Sequence, residues 1–229
     1  VTSIGDGAFS GCSGLTSVAI PNSVTSIGAD AFRYCEGLTS VTIGNSVESI
    51  GERAFLECFG LISVTIGNSV KSIGTGAFFD CRSLASVAIP NSVTNIGHQT
   101  FSGCYALTSV TIGNSVESIG ERAFKGCFRL RDVYSYVENV PFTEADAFNG
   151  SSIEKATLHV PAASINKYKA TNPWRSFGKI VALTEEETGI DELKSENGKV
   201  KSAVYDLSGR RVQKAHKGIY IQNGKVMIQ

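Results

Sequence analysis

The chain has 229 residues, of which 42% are hydrophobic, and its 21 Lys and Arg residues balance 21 Asp and Glu residues. A formal net charge of zero provides no overall field for holding a nucleic-acid backbone or an anionic membrane surface, so we expect neither as a partner. No apolar run approaches the roughly 18 residues that a membrane-spanning helix needs.

A 23-residue repeat begins at the first residue. The unit reads V-x-S-I-G-x-x-A-F-x-x-C-x-x-L-x-S-V-x-I-[PG]-N-S and occurs six times. A seventh, degraded copy places Phe148 and Ser151 at the Phe and Cys positions after one inserted residue. We call each unit a coil and number the coils from the N-terminus. Their cysteines are Cys12, Cys35, Cys58, Cys81, Cys104 and Cys127.

A unit this short cannot close its own core, so its apolar positions must be buried between successive coils. In each coil, V-x-S-I predicts a short extended segment, A-F-x-x-C a 3-10 or single helical turn, and L-x-S-V-x-I a strand. Equivalent strands one coil apart run in the same direction and form a parallel sheet. The glycine after V-x-S-I indicates either a positive φ or a close approach of backbone at a corner.

The unit resembles the leucine-rich repeats, and specifically the BspA-like subclass, over residues 1 to about 155. The resemblance implies an α/β-type leucine-rich-repeat solenoid dominated by short parallel β-strands with 3-10 or helical turns. It also implies a secreted or surface-displayed protein of a Gram-negative, host-associated bacterium that binds host or bacterial proteins. Serines occupy roughly the position of the asparagine ladder of other leucine-rich repeats: Ser23, Ser46, Ser69, Ser92 and Ser115.

The six cysteines allow three interpretations: buried free thiols, disulfides or metal ligands. Stacked coils place them above one another with parallel Cβ vectors, which is unfavourable for disulfide bonds. No C-x-x-C pair and no recurring His partner indicates a metal site. We therefore favour a structural ladder of thiols that pack as small hydrophobes and donate weakly to the turn.

The sequence predicts no catalytic residues, no metal and no cofactor, and hence a protein that is not an enzyme. His98, His159 and His216 lie in three different segments, and none is paired with a Ser, Cys or carboxylate at a catalytic spacing.

Ligand specificity should come from positions that differ between coils, because stacking already explains the invariant ones. Variation concentrates around the cysteine, where large aromatic residues stand at positions that are Ser or Gly in the first coil. Either these rings form an exposed ridge that docks a protein or a glycan, or they fold over the turns and shield the core. The candidate ridge consists of Tyr34, Phe59, Phe79, Arg82, Tyr105, Phe128 and Arg129, with Arg33 beside them.

After the sixth coil the period falters, and a cap is expected. Residues 156–161 predict a final strand, the segment behind Pro161 a short helix, and Trp174 and Phe177 the bulk that closes the last apolar layer. These predictions divide the chain into four parts, which are a solenoid at 1–155, a cap at 156–184, a linker at 185–198 and a small antiparallel β unit at 199–229.

The last unit, with VYDLSGRRV and KGIYIQNGKVMIQ, resembles the C-terminal sorting domain recognised by the type IX secretion system of Bacteroidetes-type bacteria. The resemblance implies export across the outer membrane or surface display. Because the first coil leaves an open end of the stack at Val1, we also expect the natural protein to continue upstream, with any export signal there, or self-association to cover this end.

Two functions follow from the sequence. The favoured one is adhesion or protein binding by a secreted or cell-surface solenoid, whose partner is a host or bacterial surface protein or a glycan. The alternative is a structural spacer that presents another module, because the outward strand positions are a uniform Thr/Ala surface.

Overall fold

The computed structural model describes residues 1–184 and Glu187, together with three short strands between residues 204 and 228. Val1–Leu183 form one unit and Thr184–Gln229 a second. The first unit contains all six repeats, the degraded seventh copy and the segment expected to cap them.

Each coil begins with a two-residue strand, and these strands form one parallel seven-stranded sheet. Neighbours pair at the 23-residue step, as Ser3 does with Ser26. The last step is one residue longer, because Ser118 pairs with Phe142 after the insertion in the seventh copy. The strands are β1 (Ser3–Ile4), β3 (Ser26–Ile27), β5 (Ser49–Ile50), β7 (Ser72–Ile73), β9 (Asn95–Ile96), β11 (Ser118–Ile119) and β13 (Phe142–Thr143).

A second series of longer strands alternates with the first and also pairs in parallel, in one sheet of three strands and one of five. Between the two sheets the amide of Ala85 still donates to the carbonyl of Ile62, at 3.2 Å. The strands are β2 (Ser17–Ile20), β4 (Ser40–Ile43) and β6 (Ser63–Thr65), then β8 (Ser86–Ile89), β10 (Ser109–Ile112), β12 (Asp132–Ser135), β14 (Thr157–Val160) and β15 (Lys179–Ala182). The first unit is thus a parallel-strand solenoid of about eight turns with little helix, as the repeat predicts.

Phenylalanine forms the centre of the core. One ring from each coil stacks on the ring of the next, with centroids 5.1–5.5 Å apart and planes within 10°. Because the rings repeat at the same step as the strands, their faces cover one another along the whole solenoid. The stack consists of Phe9, Phe32, Phe55, Phe78, Phe101, Phe124 and Phe148.

The invariant glycine after each short strand is required by a close backbone approach, and not by a positive φ. A Cβ on Gly51 would lie 2.5 Å from the carbonyl carbon of Gly28 in the preceding coil, and a Cβ on Gly97 would lie 2.9 Å from that of Gly74. No Cβ fits at such distances. The sequence left open a positive φ or a close backbone approach for this glycine, and the structure shows the close approach.

An asparagine ladder joins the turns behind the longer strands. The amide of Asn45 donates to Oδ1 of Asn22 at 2.7 Å, and the amide of Asn68 donates to Oδ1 of Asn45 at 3.1 Å. The ladder therefore stands one residue before the serines that the repeat pattern indicated for it.

The segment predicted to be the cap places aromatic residues against the last ring of the phenylalanine stack. Trp174 and Phe177 each meet Phe148 edge to face, with centroids 5.4 Å away. The predicted helix is α1 (Ile165–Ala170), where Tyr168 is buried and donates to the carbonyl of Val137. Short 3-10 turns at Ile153–Lys155, Ala162–Ser164 and Trp174–Ser176 connect these elements.

The expectation that residues 156–161 form the final strand is wrong. β15 pairs in parallel with β14 along its full length, with Thr157 opposite Lys179 and Val160 opposite Ala182. The sheet therefore continues into the segment that was predicted to be cap alone.

In the second unit, three strands pair in the antiparallel order β16 (Val204–Asp206), β17 (Ile219–Gln222) and β18 (Lys225–Ile228). The predicted linker at 185–198, apart from Glu187, lies outside the described residues, as do most residues of the predicted β unit at 199–229. Its assignment as a sorting domain stays a prediction.

Candidate functional site

The residues that follow the cysteines of coils three to six in sequence form a second column of side chains, parallel to the core stack. The guanidinium carbon of Arg82 lies 4.3 Å from the ring centroid of Phe59 and 5.8 Å from that of Tyr105. Tyr105 in turn stacks on Phe128, with centroids 5.3 Å apart. We call these four residues, which come from coils three to six, the aromatic–arginine ladder. It arises because one position of the unit recurs at each coil and the coils are separated by about 4.8 Å.

Three of the four ladder side chains are exposed to solvent. Phe128 is 58% exposed and Tyr105 39%, while Arg82 is exposed and Phe59 half-buried. The core below is already closed, because Phe78, Phe101 and Phe124 have no exposed surface. Tyr105 and Phe128 therefore present apolar surface to solvent beyond what closing the core needs.

Asp80 holds the arginine of the ladder in place. Its carboxylate accepts a hydrogen bond from Arg82 at 2.8 Å, and its side chain is only 15% exposed. Asp80 adopts a φ of 55°, as do its counterparts Tyr34 and Glu57 within a few degrees, whereas Gly103 and Gly126 fill the position in the next two coils. A left-handed residue before the cysteine is thus part of the turn, whatever side chain stands there.

The other sequence-predicted residues lie outside this ladder. Tyr34 is 37% exposed and pairs with its neighbour Arg33, whose guanidinium carbon lies 4.4 Å from the ring centroid. Phe79 is half-buried in a different column of the turn, and Arg129 is exposed one position beyond Phe128. Among the described contacts, no aromatic stacking or cation–π interaction joins Tyr34, Phe79 or Arg129 to the ladder.

Two further cations near Phe128 were not among the predicted site residues. Lys125 and Arg131 are both exposed, on the same coil as Phe128 and Arg129. A signal for them is present in the sequence, since the segment K-G-C-F-R-L-R has three cations and no acid, whereas coils two to four each place an acid beside the cysteine (Glu36, Glu57 and Asp80).

The cysteines are all free, and five of the six are buried. Each buried thiol donates to the carbonyl oxygen of the phenylalanine of the preceding coil, at Sγ to O distances from 3.1 Å for Cys35 to 3.6 Å for Cys127. Ser151 takes the same place in the seventh copy and donates to the carbonyl of Phe124. The column is a hydrogen-bonded ladder that ties each coil to the one before it.

Burial makes these thiols unreactive. It raises the pKa of Cys58 and of Cys127 to about 12, and it raises the pKa of Cys81 and of Cys104 well above the usual thiol value. Only a thiolate is an effective nucleophile or metal ligand, so the column is not suited to catalysis or metal binding. Among the described residues there is no cluster of three or more His, Cys, Asp or Glu side chains that could hold a metal ion.

A groove of about 810 Å³ lies beside the loop of the seventh copy. Its lining is mostly polar and includes Asn114, Glu117, Glu138 and Asn139. The cap accounts for its shape, because the hydroxyl of Ser164 donates to the carbonyl of Glu138 and Lys167 donates to the amide oxygen of Asn139. The aromatic–arginine ladder is therefore the stronger candidate for a binding site.

Nothing in the ladder is suited to covalent chemistry, because it combines rings and a guanidinium without a nucleophile or a base. Such a combination is typical of binding hot spots, where aromatic and arginine side chains dominate the energy. In the part of the chain that the structure describes, none of the helices has the length and apolarity that a membrane span requires.

Comparison with solved structures finds repeat proteins. A leucine-rich-repeat protein of T. pallidum, TpLRR, is 34% identical to this chain and has a TM-score of 0.60; the match covers 62% of this chain and 67% of that one. The pneumococcal vaccine antigen PcpA is 22% identical with a TM-score of 0.63, over 73% of this chain and 41% of that one, which shows a shared fold. This chain thus spans about two thirds of the first protein and about two fifths of the second.

A search among curated proteins found no match. The model of the BspA type leucine rich repeat region matches residues 2–131 and 52–172, in six copies. These matches cover most of the chain and coincide with the repeats and the stacked coils described above. The chain therefore belongs to the BspA-type leucine-rich-repeat family, a class of repeat scaffolds whose members are typically surface or protein-binding proteins.

Proposed function

We propose that this protein is a secreted or cell-surface leucine-rich-repeat protein that mediates adhesion or protein–protein binding and catalyses no reaction. The observation that carries the proposal is the ladder of Phe59, Arg82, Tyr105 and Phe128, whose exposed side chains stand on coils with a fully buried phenylalanine core. A rigid support lowers the entropy that ordering such side chains costs on binding.

The placement outside the cell rests on the family and on the resemblance of residues 199–229 to a type IX sorting domain. Export through that system or surface display is part of the proposal. Free buried thiols are compatible with an oxidising environment, because the stacked coils keep neighbouring cysteines parallel and each thiol is engaged by a carbonyl.

The ladder is tested by replacing Phe59, Tyr105 and Phe128 together with alanine and measuring binding to a panel of purified host cell-surface and bacterial outer-surface proteins. A matched control removes three apolar side chains elsewhere on the described surface, in the variant Ile62→Ala, Phe142→Ala and Val181→Ala; all three are exposed. We expect the ladder variant to lose binding by at least about tenfold and the control to keep it. Unchanged binding by a ladder variant with lower thermal stability would show that the rings only shield the core.

A second function, a structural spacer, is favoured by one observation. In the first five coils, the outward positions of the longer strands carry small side chains, such as exposed Ala19, Thr42, Thr65 and Ala88. That face is flat and uniform, and it offers little specificity. Binding by neither the wild type nor the control variant to any member of the panel would favour the spacer.

A further inference from the structure

Three cations on the sixth coil have no acidic partner among residues 1–184. Lys125, Arg129 and Arg131 are exposed, and none forms an ion pair with an acid of residues 1–184. In sequence Lys125 precedes and the two arginines follow Phe128, the most exposed ring of the aromatic–arginine ladder. We call Tyr105, Phe128 and these three cations the sixth-coil patch.

The arginines of the earlier coils and of the neighbouring turn are neutralised within the protein. Arg53 holds Asp30 through two hydrogen bonds of 3.1 Å, and Arg82 pairs with Asp80. Arg122, only three residues before Lys125, pairs with Asp146 at 3.2 Å. A chain with zero net charge thus carries three unneutralised cations within seven residues, in the segment that also holds the exposed ring of Phe128.

The two rings of this patch differ in how much of their faces is covered. Arg82 lies over one face of Tyr105 and Phe128 covers the other, and Tyr105 covers one face of Phe128. A sugar stacks on ring faces, whereas the electropositive edge of an aromatic ring attracts carboxylates and packs against apolar side chains. Tyr105 therefore offers a partner only its edge, and together with the exposed cations this favours an acidic polypeptide over a neutral glycan.

From these observations we propose that the sixth-coil patch docks an acidic segment of a partner polypeptide, with one apolar side chain of that segment placed against Phe128. The inference rests on the proposed function and specifies the chemistry of its partner. Carboxylates would pair with Lys125, Arg129 and Arg131, and burial of the apolar anchor would give affinity that charge alone does not.

The test uses the full chain and synthetic peptides of about 15 residues in which several Asp and Glu residues surround a single Leu or Phe. Binding is measured by fluorescence anisotropy, with the same peptides carrying Asn and Gln as the neutral reference. We expect the acidic set to bind more tightly, and we expect its dissociation constant to rise severalfold between about 50 and 300 mM NaCl because salt screens exposed charges.

The matched variants reverse the same number of charges at two places. The double variant Lys125→Glu and Arg129→Glu should raise the dissociation constant about tenfold or more, since it places like charges opposite the peptide. The control Lys169→Glu and Arg175→Glu alters exposed cations of the cap and should change it less than about twofold. Thermal melts of both variants establish that they are folded, and the salt series on the wild type gives a readout that needs no variant.

Three results would overturn the inference. The first is equal binding of neutral and acidic peptides, and the second is an equal loss in both charge-reversal variants. The third is a sulfated polysaccharide, such as heparin, that binds the patch more tightly than any acidic peptide and competes with it. If alanine at Phe59, Tyr105 and Phe128 still abolishes binding to a protein of the panel, the proposed function stands and only the acidic chemistry fails.

Discussion

At the scale of single residues, the glycines of the repeat are required for two different physical reasons. Gly51 and its equivalents allow the backbones of adjacent coils to touch, whereas Gly103 and Gly126 adopt a positive φ before the cysteine. The sequence could predict that a corner needs glycine. It could not distinguish the two causes, because a close backbone approach and a positive φ both select glycine. Only the distance to the preceding coil separates them.

The close-approach explanation predicts that the same substitution destabilises a coil that has a preceding neighbour but not the first coil. Gly51→Ala should lower the free energy of unfolding by about 1–3 kcal/mol, because its Cβ would overlap backbone that cannot move aside. Gly5→Ala is the matched control, since Gly5 occupies the same place in the first coil and a methyl group there would have no other atom within 4 Å. Urea unfolding followed by circular dichroism measures both, and an equal loss in the two variants would contradict the close-approach explanation.

The thiols provide a second test at the residue scale. Cys12 is exposed and the five others are buried, so a disulfide reagent such as dithionitrobenzoate should label one thiol per folded chain and six after denaturation. Cys12→Ser should remove the reactive thiol from the folded protein. Rapid labelling of more than one thiol under native conditions would show that the buried column opens readily.

At the scale of elements, the stack of phenylalanines ends at the cap. Trp174 is buried against Phe148, Tyr168 and Phe177, and its indole N–H donates to the hydroxyl of Thr143 at 3.0 Å. The sequence indicated Trp174 and Phe177 as closing residues because a stack needs bulk at its end. It did not indicate β15, because Lys179–Ala182 lacks the motif of the repeat and is too short to be distinguished from a connecting segment.

Removing the closing residue should destabilise the C-terminal end of the solenoid. Trp174→Ala creates a large cavity and should cost about 3–5 kcal/mol, whereas Trp174→Phe keeps most of the packing and loses the hydrogen bond, at a cost of about 1–2 kcal/mol. Chemical denaturation followed by far-UV circular dichroism compares them. A loss below about 1 kcal/mol in the alanine variant would mean that another segment covers Phe148.

The thiol column also predicts sensitivity to alkali. Burial raises the pKa of these thiols in the folded chain above the ordinary value of 9.0, so the unfolded chain loses protons first and stability falls as the pH rises through that value. Between pH 8 and pH 10, each deeply buried thiol should lower the free energy of unfolding by about 1.4 kcal/mol.

A variant without two of these thiols tests the assignment. Under reducing conditions, the double variant Cys81→Ala and Cys104→Ala should be less stable than the wild type at pH 8. From pH 8 to pH 10, however, its free energy of unfolding should fall by about 3 kcal/mol less than that of the wild type. The free energy of unfolding at the two pH values measures the difference. The same loss in both proteins would assign the alkaline sensitivity to other groups.

At the scale of the whole molecule, the parallel solenoid could be predicted from one repeated unit, because each 23-residue copy can bury its apolar side only against its neighbours. The binding surface could be predicted only in part. Phe59, Arg82, Tyr105 and Phe128 share one repeat position and therefore align, whereas Tyr34 and Phe79 belong to other positions of the turn and do not join them. The absence of an acid beside Cys127 becomes meaningful only when the ion pairs of the other coils are known.

The most direct test of binding through the cysteine turns is hydrogen–deuterium exchange of the full chain, free and bound to the tightest-binding protein of the panel. We predict that binding slows exchange at 103–107 and 125–131, in the turns that carry Tyr105, Phe128 and the unpaired cations, and leaves the short-strand sheet unchanged. Protection confined to the groove at 136–141 or to the short-strand sheet, with none in these turns, would contradict that prediction.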